Sequence, residues 1–549
     1  MTRWWKSLSK DRWPEWMTWG FFIALLLFAM HIHEPWFDEI QAWLIAQDAP
    51  WHDLLWVLPH YEGHPPFFHL LLAIPARLGI NGIIGLHSIG AMFSIAAAYL
   101  IIFKSPFPRV ARLTLPFSYF LFYQYGVTVR PYNLMVFLMC LLAVYFPQKD
   151  KHPGRFTLLL AALCACHLYG IAIAGGIAIA WLWEMKASLP WKTYCKNLLH
   201  DERFFWLLGL LGWAIALTLW IMPHSDTFAM GNEFQVTSLW QRAVYLLFIM
   251  PADAFFTNIF FFSKRLSVVS IPPLDLVCGA LAGTCIWGAV LTCLSKKARP
   301  FLWIPFVCLI MPCMYYVWRH HIGLAGLLIV WALWIGWEYN PNCPRYIKAF
   351  YLLLLFCPLV WTLVTVYQDA VYPQLSGKSF MQFLQEHQLQ NKRIFASWKL
   401  IKPEDLPPSQ QILYPNGLER SELQAFAIAL NFYAPQNLFA NFNETTPHRY
   451  GNCVVKTPQL NEQTLQTWRN GPLPDLFIGE EGVLKSLLKN RPEQISQYAI
   501  VFRLEGYNKW KSEKPQKFMI PVWARVELIE PHHLAAQDTF FFYLKSFKG

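Results

Sequence analysis

The sequence predicts a polytopic α-helical membrane protein that carries a soluble α/β domain at its C-terminal end. Three observations lead there. Of 549 residues, 55% are hydrophobic and only 14% charged, and mean hydropathy is +0.30, more apolar than a chain bathed in water tolerates. Long apolar runs joined by short basic connections recur as far as residue 366. After Tyr367 the texture changes to prolines, polar residues and short apolar runs.

The first apolar run, 17–32, follows Arg3, Lys6, Lys10 and Arg12. It lacks a small-residue cleavage site and so reads as a retained span with a cytoplasmic N-terminal end. About 11 spans follow from apolar length, at roughly 17–32, 83–103, 112–129, 131–146, 156–169, 170–186, 204–222, 274–294, 301–318, 322–338 and 349–366. In that scheme the basic connections 104–112, 149–155, 186–203, 296–299 and 345–348 all fall on the cytoplasmic side, as Lys and Arg prefer, while the first loop, 33–82, falls outside. Two further apolar stretches, 65–80 and 239–262, break the alternation and are expected to lie as helices at the outer interface or to dip partly into the bilayer. Counting them as spans gives 13, the alternative.

Residues 1–366 thus form the membrane domain and 367–549 an extracytoplasmic α/β domain. Segments 393–398, 411–415, 474–479, 498–504 and 519–528 read as strands, with helices near 419–433 and 480–490. The domain has 20 Lys and Arg against 17 Asp and Glu, too even a balance to specify a partner. The whole chain is formally +11, yet it holds no nucleic-acid motif, Walker loop or dinucleotide fingerprint.

The charge stands out most in the first outer loop. It carries Glu34, Asp38, Glu39, Asp48, Asp53 and Glu62, with no Lys or Arg before Phe68. The proposed spans hold almost no carboxylate, whereas proton relays and ion-coupled transporters place acids near mid-bilayer. Acid chemistry is therefore expected at the outer surface, in a base, a metal ligand or an activator of a hydroxyl. A plainer role is equally open for Asp38 and Glu39, since acids favour a helix N-terminus.

The motif W-F-D-E-I-Q-A-W behind the first span, E-G-H-P-P-F-F about 25 residues on, and V-R-P-Y-N-L at 129–134 follow in that order. Together they resemble the membrane-embedded GT-C glycosyltransferases, in the branch of protein O-mannosyltransferases and lipid A aminoarabinose transferases. The resemblance covers about residues 1–370. It implies an inverting transfer of a sugar from a polyprenyl-phosphate donor to the hydroxyl of a glycan, lipid or protein acceptor, at the outer face of a bacterial inner membrane. Asp38 would then be the general base and Glu39 its catalytic modifier. Glu62 and His64 would bind acceptor or metal on the opposite wall. Arg130 and Tyr132, with His167, Arg319, His320 and His321 brought from distant segments, would grip the donor phosphate. No cofactor is certain, and a divalent metal ion on Asp38, Glu62 and His64 is left open. A lipid or solute transporter with an outward acidic vestibule is the competing reading.

Overall fold

The computed structural model describes residues 12–186, 190–223, 239–256, 273–314, 317, 319–339, 345–397, 399–401, 418–420, 424–441, 449–450, 462–508 and 515–529. Helix dominates up to residue 371. Among the described residues, five helices are long and apolar enough to cross a membrane: α1 (Trp13–Ile32), α4 (Gly82–Lys104), α5 (Pro131–Tyr145, extended by a 3₁₀ turn to Gln148), α7 (Leu168–Lys186) and α8 (Glu202–Trp220). Between them lie α2 (Phe37–Asp48) and α3 (Phe67–Arg77) of the first loop, and α6 (Pro153–Cys164). Then come α9 (Pro273–Cys293), α10 (Pro300–Cys313), α11 (Gly323–Tyr339) and the 27-residue α12 (Arg345–Val371).

Three expectations change. The segment 112–129 runs from the Arg109–Arg112 end to the Arg130 end but is not one continuous helix: helix Arg109–Thr114 gives way to a 3₁₀ turn at Leu115–Phe117 and then to a π-helix at Phe120–Val127. Pro116 removes a donor, and Ser118 adopts an extended backbone, which together break a helical ladder. The break between the spans expected at 156–169 and 170–186 falls a few residues earlier, at 165–167, leaving α6 only 12 residues long. Residues 239–256, expected at the interface, form a helix with a π-turn at Tyr245–Ile249. Tyr245, Leu246 and Ile249 are buried, and the segment packs on α9, α11 and α12 inside the bundle. The remainder of that stretch, 257–262, lies outside the described residues. The 11 residues of α3 rise about 16 Å, half the hydrocarbon thickness.

Helix direction sorts the connections into two ends. Glu15, at the start of α1, pairs with Arg109 (2.8 Å) and Arg112 (3.4 Å) just beyond α4. Lys149 pairs with Glu184 near the end of α7 (2.9 Å) and with Asp150 (3.1 Å), which in turn meets Arg203 (2.7 Å). The opposite end of α1, α5 and α7 carries His33, Arg130 and His167.

Downstream, α13 (Gly377–Glu386) leads into a four-stranded sheet of order β1-β4-β6-β5, where β1 is Ile394–Ala396, β4 Leu476–Ile478, β5 Tyr498–Asn508 and β6 Gln516–Arg525. The β1/β4 pair is parallel and the other pairs antiparallel. Phe380 and Leu384 of α13 and Ile394, Leu476 and Val522 of the sheet share one core. A second, two-stranded sheet pairs β2 (Lys399–Ile401) with β3 (Leu418–Arg420). The expected helices near 419–433 and 480–490 are found at Gln424–Asn431, here α14, and Glu481–Leu487, while residues 419–420, expected in the first of them, belong to β3. The expected strand 411–415 lies outside the described residues.

This domain grips the first loop. Glu34 accepts the backbone N–H groups of Gln374 (2.7 Å) and Leu375 (3.1 Å). Arg449 forks onto both oxygens of Asp48 at 2.7 and 2.5 Å. Phe432 packs so closely on Gly82 that an added Cβ would lie 2.9 Å from its ring. Since Asp48 ends α2, the C-terminal domain holds the far end of the helix whose first turn bears Asp38. Replacing Arg449 by Met is expected to weaken this docking by about 2 kcal/mol, the scale of hydrogen bonds to a charged group. Trypsin cleavage of the full chain in detergent should then accelerate within the C-terminal domain, and an unchanged rate contradicts the clamp.

Candidate active site at the mouth of the first loop

Trp36 holds an extended backbone (φ −83°, ψ 171°) and the chain turns into α2 at Phe37, which sets Asp38 and Glu39 in the first helical turn. Glu39 is fully buried. One of its oxygens reaches back to the Trp36 N–H (3.0 Å) and the other accepts the Val129 N–H (2.6 Å). This second bond lashes the loop to the turn before α5. There the Arg130 N–H donates to the Asn133 side chain (2.8 Å), while the Asn133 amide donates to the carbonyls of Tyr125 (2.8 Å) and Gly126 (3.0 Å). The lashing brings the Arg130 guanidinium onto Asp38 as an ion pair. The Asp38 side chain stays 28% exposed and that of Arg130 14%.

The other wall begins where Gly63, in the left-handed region at φ 68°, ends the short helix Pro59–Glu62. A side chain there would be strained. His64 follows, its Nε2 3.6 Å from a Glu62 oxygen, and Pro65 and Pro66 lead into α3. The His64 ring lies 5.2 Å from that of His69 in a stacked pair and 5.4 Å from that of His167. His167 in turn stacks on Tyr169 (4.9 Å) and faces Tyr132 (5.4 Å), whose hydroxyl is 3.5 Å from the imidazole Nε2. His320 and His321 close the ring from a 3₁₀ turn that is held by a bond from the Tyr125 hydroxyl to the His320 carbonyl (2.7 Å). The Tyr169 hydroxyl lies 3.3 Å from His321 Nδ1, and Trp36 meets the His320 ring edge to face.

Burial and the Arg130 charge keep these imidazoles neutral. Burial first, then Arg130, pushes His69 down to about 4 and His167 down to about 3. His64, His320 and His321 lie well below the ordinary histidine value for the same reasons, reinforced by one another. Glu62 moves the opposite way: burial, opposed by Arg130 and aided by Asp38, pushes it up to about 7. One guanidinium ringed by neutral N–H and O–H donors suits an anion, because the donors turn toward it without adding charge that repels the guanidinium.

The structure therefore gathers Asp38, Arg130, Glu62, His64, Tyr132, His167, His320 and His321. Glu39 belongs to the same loop but is turned inward with both oxygens occupied, so it positions the site and does not face it. The Arg319 side chain lies outside the described residues. Among the described residues no three His, Cys, Asp or Glu side chains form a metal-holding group; Asp38, one of the three ligands considered for a divalent ion, is already engaged by Arg130.

Sequence reasoning missed two residues. His69 stands five positions after His64, a visible signal once α3 is drawn as a helix, and Asp369 carried none. His33, which the sequence alone presents as a structural histidine, joins Asp369 in a buried network. The His33 ring binds Glu39 through Nε2 (3.0 Å) and Asp369 through Nδ1 (2.8 Å), and the Tyr123 hydroxyl donates to the same Asp369 oxygen (2.5 Å). Burial alone would depress His33, but the Glu39 and Asp369 carboxylates outweigh it and push it up to about 10.

No protein-family model matches this chain, nor does any curated protein or solved structure.

Proposed function

We propose that this chain is a GT-C type membrane glycosyltransferase that moves a sugar from a polyprenyl-phosphate donor to an acceptor hydroxyl at the outer face of a bacterial inner membrane. The observation that carries the reading is the Asp38–Arg130 pair, partly exposed beside a buried cluster of neutral donors. A donor phosphate that reaches this cluster competes with Asp38 for Arg130 and so frees the carboxylate as the substrate arrives. The acceptor oxygen then attacks the anomeric carbon as its proton passes to Asp38. The bond from that carbon to the phosphate oxygen breaks, and its electron pair leaves with the lipid phosphate. Arg130 and the hydroxyl and imidazole donors around it stabilise the charge that grows on the leaving group. The displacement inverts the anomeric carbon and needs no covalent sugar on the protein.

The orientation rests on the sorting of charge. The end of the bundle away from this site carries Lys104, Arg109, Arg112, Lys149, Lys151, Arg155 and Lys186, as the cytoplasmic face of an inner-membrane protein does. The full count of about 11 spans belongs to the same reading, with α6, α9, α10 and α11 as short or tilted spans.

Asp38→Asn keeps the shape and removes the base. Transfer by the purified full chain from a synthetic polyprenyl-phosphate sugar should fall by about a hundredfold or more, the usual contribution of a positioned base. Full activity in this variant removes Asp38 from the role. Lipid or solute flux by the wild type without any sugar transfer would favour the transporter.

A further inference from the structure

At the end of the bundle away from the candidate active site, α7 stops at Lys186, and a short helix, Trp191–Leu198, leads from Pro190 toward α8. Tyr194 ties this helix to α7: its ring is buried and its hydroxyl donates to the Leu182 carbonyl (3.1 Å). The helical repeat carries Leu198, Trp191, Cys195 and Leu199 around the adjoining face, with Lys192 and Lys196 along its far edge. That face has little protein over it, since Trp191 is 62% and Leu199 63% exposed. On α7, Ile179, Trp183 and Lys186 share one stripe by their spacing of four and three residues, and Ile179 and Trp183 are exposed as well. The two faces meet at Lys186, whose Nζ lies 4.5 Å from the centre of the Trp191 ring and 5.6 Å from that of Trp183.

We propose that Lys186, Lys192 and Lys196, set around the Trp183 and Trp191 indoles, bind the headgroup phosphate of an anionic phospholipid. Charge selects the phosphate. Other cations at this end are engaged within the protein: Arg109 and Arg112 by Glu15, Lys149 by Glu184, and Arg203 by Asp150 and Asp201. Among the described residues Lys186, Lys192 and Lys196 have no ion pair. The acids nearest them in sequence are committed elsewhere: Glu184 and Asp201 to those pairs, and Glu202 to the Trp206 indole N–H (3.0 Å). The uncompensated positive charge attracts an anion. The apolar groups select a lipid over a soluble phosphate. Trp183 stands in the last turn of a helix long and apolar enough to cross a membrane, at the level where acyl chain gives way to headgroup and where indoles settle. The exposed face of the short helix continues that surface, as an interfacial helix does. A zwitterionic headgroup brings its own ammonium and gains less from the three lysines. The site requires that α7 span the membrane and is independent of the glycosyltransferase reading.

Native mass spectrometry of the purified full chain, titrated separately with phosphatidylglycerol and phosphatidylcholine of the same acyl chains, tests this. The wild type should retain phosphatidylglycerol at a concentration about tenfold lower, a modest share of what three lysines near a charged surface supply. The triple variant Lys186→Gln, Lys192→Gln, Lys196→Gln should lose most of that preference. A second triple variant, Lys104→Gln, Lys151→Gln, Arg155→Gln, removes the same charge from the same end and should keep it. All six side chains are exposed or half-buried, so neither variant disturbs the core. Glycerol 1-phosphate in excess, which carries the headgroup phosphate without acyl chains, should not displace the bound lipid. Equal retention of the two lipids by the wild type, or an equal loss in both triple variants, overturns the inference. Displacement by glycerol 1-phosphate makes this a site for soluble phosphate and overturns the lipid assignment. A wild-type dimer that Trp191→Ala dissociates gives the exposed face to a second copy of the chain and overturns it too.

Discussion

His33→Gln is expected to destabilise the protein by about 3–5 kcal/mol, the cost of leaving buried charge without its partner. The imidazole sits between two carboxylates, Glu39 at 3.0 Å and Asp369 at 2.8 Å, and all three side chains are nearly inaccessible to solvent. Remove the cation and two buried acids face one another. The pH dependence supplies a second estimate of the same size. His33 is pushed up to about 10, and a folded value above the unfolded one means stability that is complete below about 6.5 and lost as pH rises through 10. At 1.36 kcal/mol per unit this amounts to about 5 kcal/mol. Unfolding by SDS of the purified chain should therefore show a wild-type midpoint that falls between pH 7 and 10, and a His33→Gln midpoint that is already low at pH 7. The double variant His33→Gln with Asp369→Asn should recover part of the loss, because it removes one of the two facing charges. A single variant as stable as the wild type contradicts the buried charge network.

The same residues show what a sequence displays and what it hides. Lipid imposes long apolar runs and cytoplasm attracts Lys and Arg, so the helical bundle and its basic end are written locally and were legible. The cluster of Asp38, Arg130, Glu62 and His64 was legible through the order of the three motifs that carry these residues, since each residue alone also suits the end of a structural helix. The six acids of the first loop looked alike, and their different fates were not legible. Glu34 caps two amides at residues 374–375, Asp48 holds Arg449, and Glu39 joins Val129 to His33. Each role is set by a partner from a remote segment, and no local pattern encodes it. The stretch 34–67 has no Lys or Arg of its own; Arg130, Arg449 and His33 supply counter-charges to Asp38, Asp48 and Glu39 from beyond it. The break in 112–129 was a different omission, since Pro116 stands in plain view and a proline inside a presumed helix argues for interruption.

Glu62→Gln should remove a pH dependence that the wild type shows near neutrality. Glu62 is pushed up to about 7 by burial, with Asp38 adding to the shift and Arg130 opposing it. On the glycosyltransferase reading, below that value the side chain is neutral and a donor phosphate meets Arg130 with one fewer competing anion. Above it, Glu62 ionises and repels the incoming phosphate. Donor affinity in the wild type is therefore expected to weaken by about tenfold as pH rises through 7, the scale of one charge acting over a few ångströms in a partly shielded site. The histidines do not produce the same break, because His69 at about 4 and His167 at about 3 are neutral throughout this window. Nor does the donor, a phosphodiester that keeps a single negative charge across it. Stability moves in the same direction. A carboxyl whose folded value exceeds the unfolded 4.5 costs stability as pH rises from 4.5 to 7, about 3 kcal/mol when complete. Glu62→Gln should thus be the more stable protein at pH 8 while holding donor with a pH-independent KM. Measured from pH 5.5 to 8.5, a wild-type KM without a break near 7, or an equal break in Glu62→Gln, assigns the titration to another group and removes Glu62 from the phosphate site.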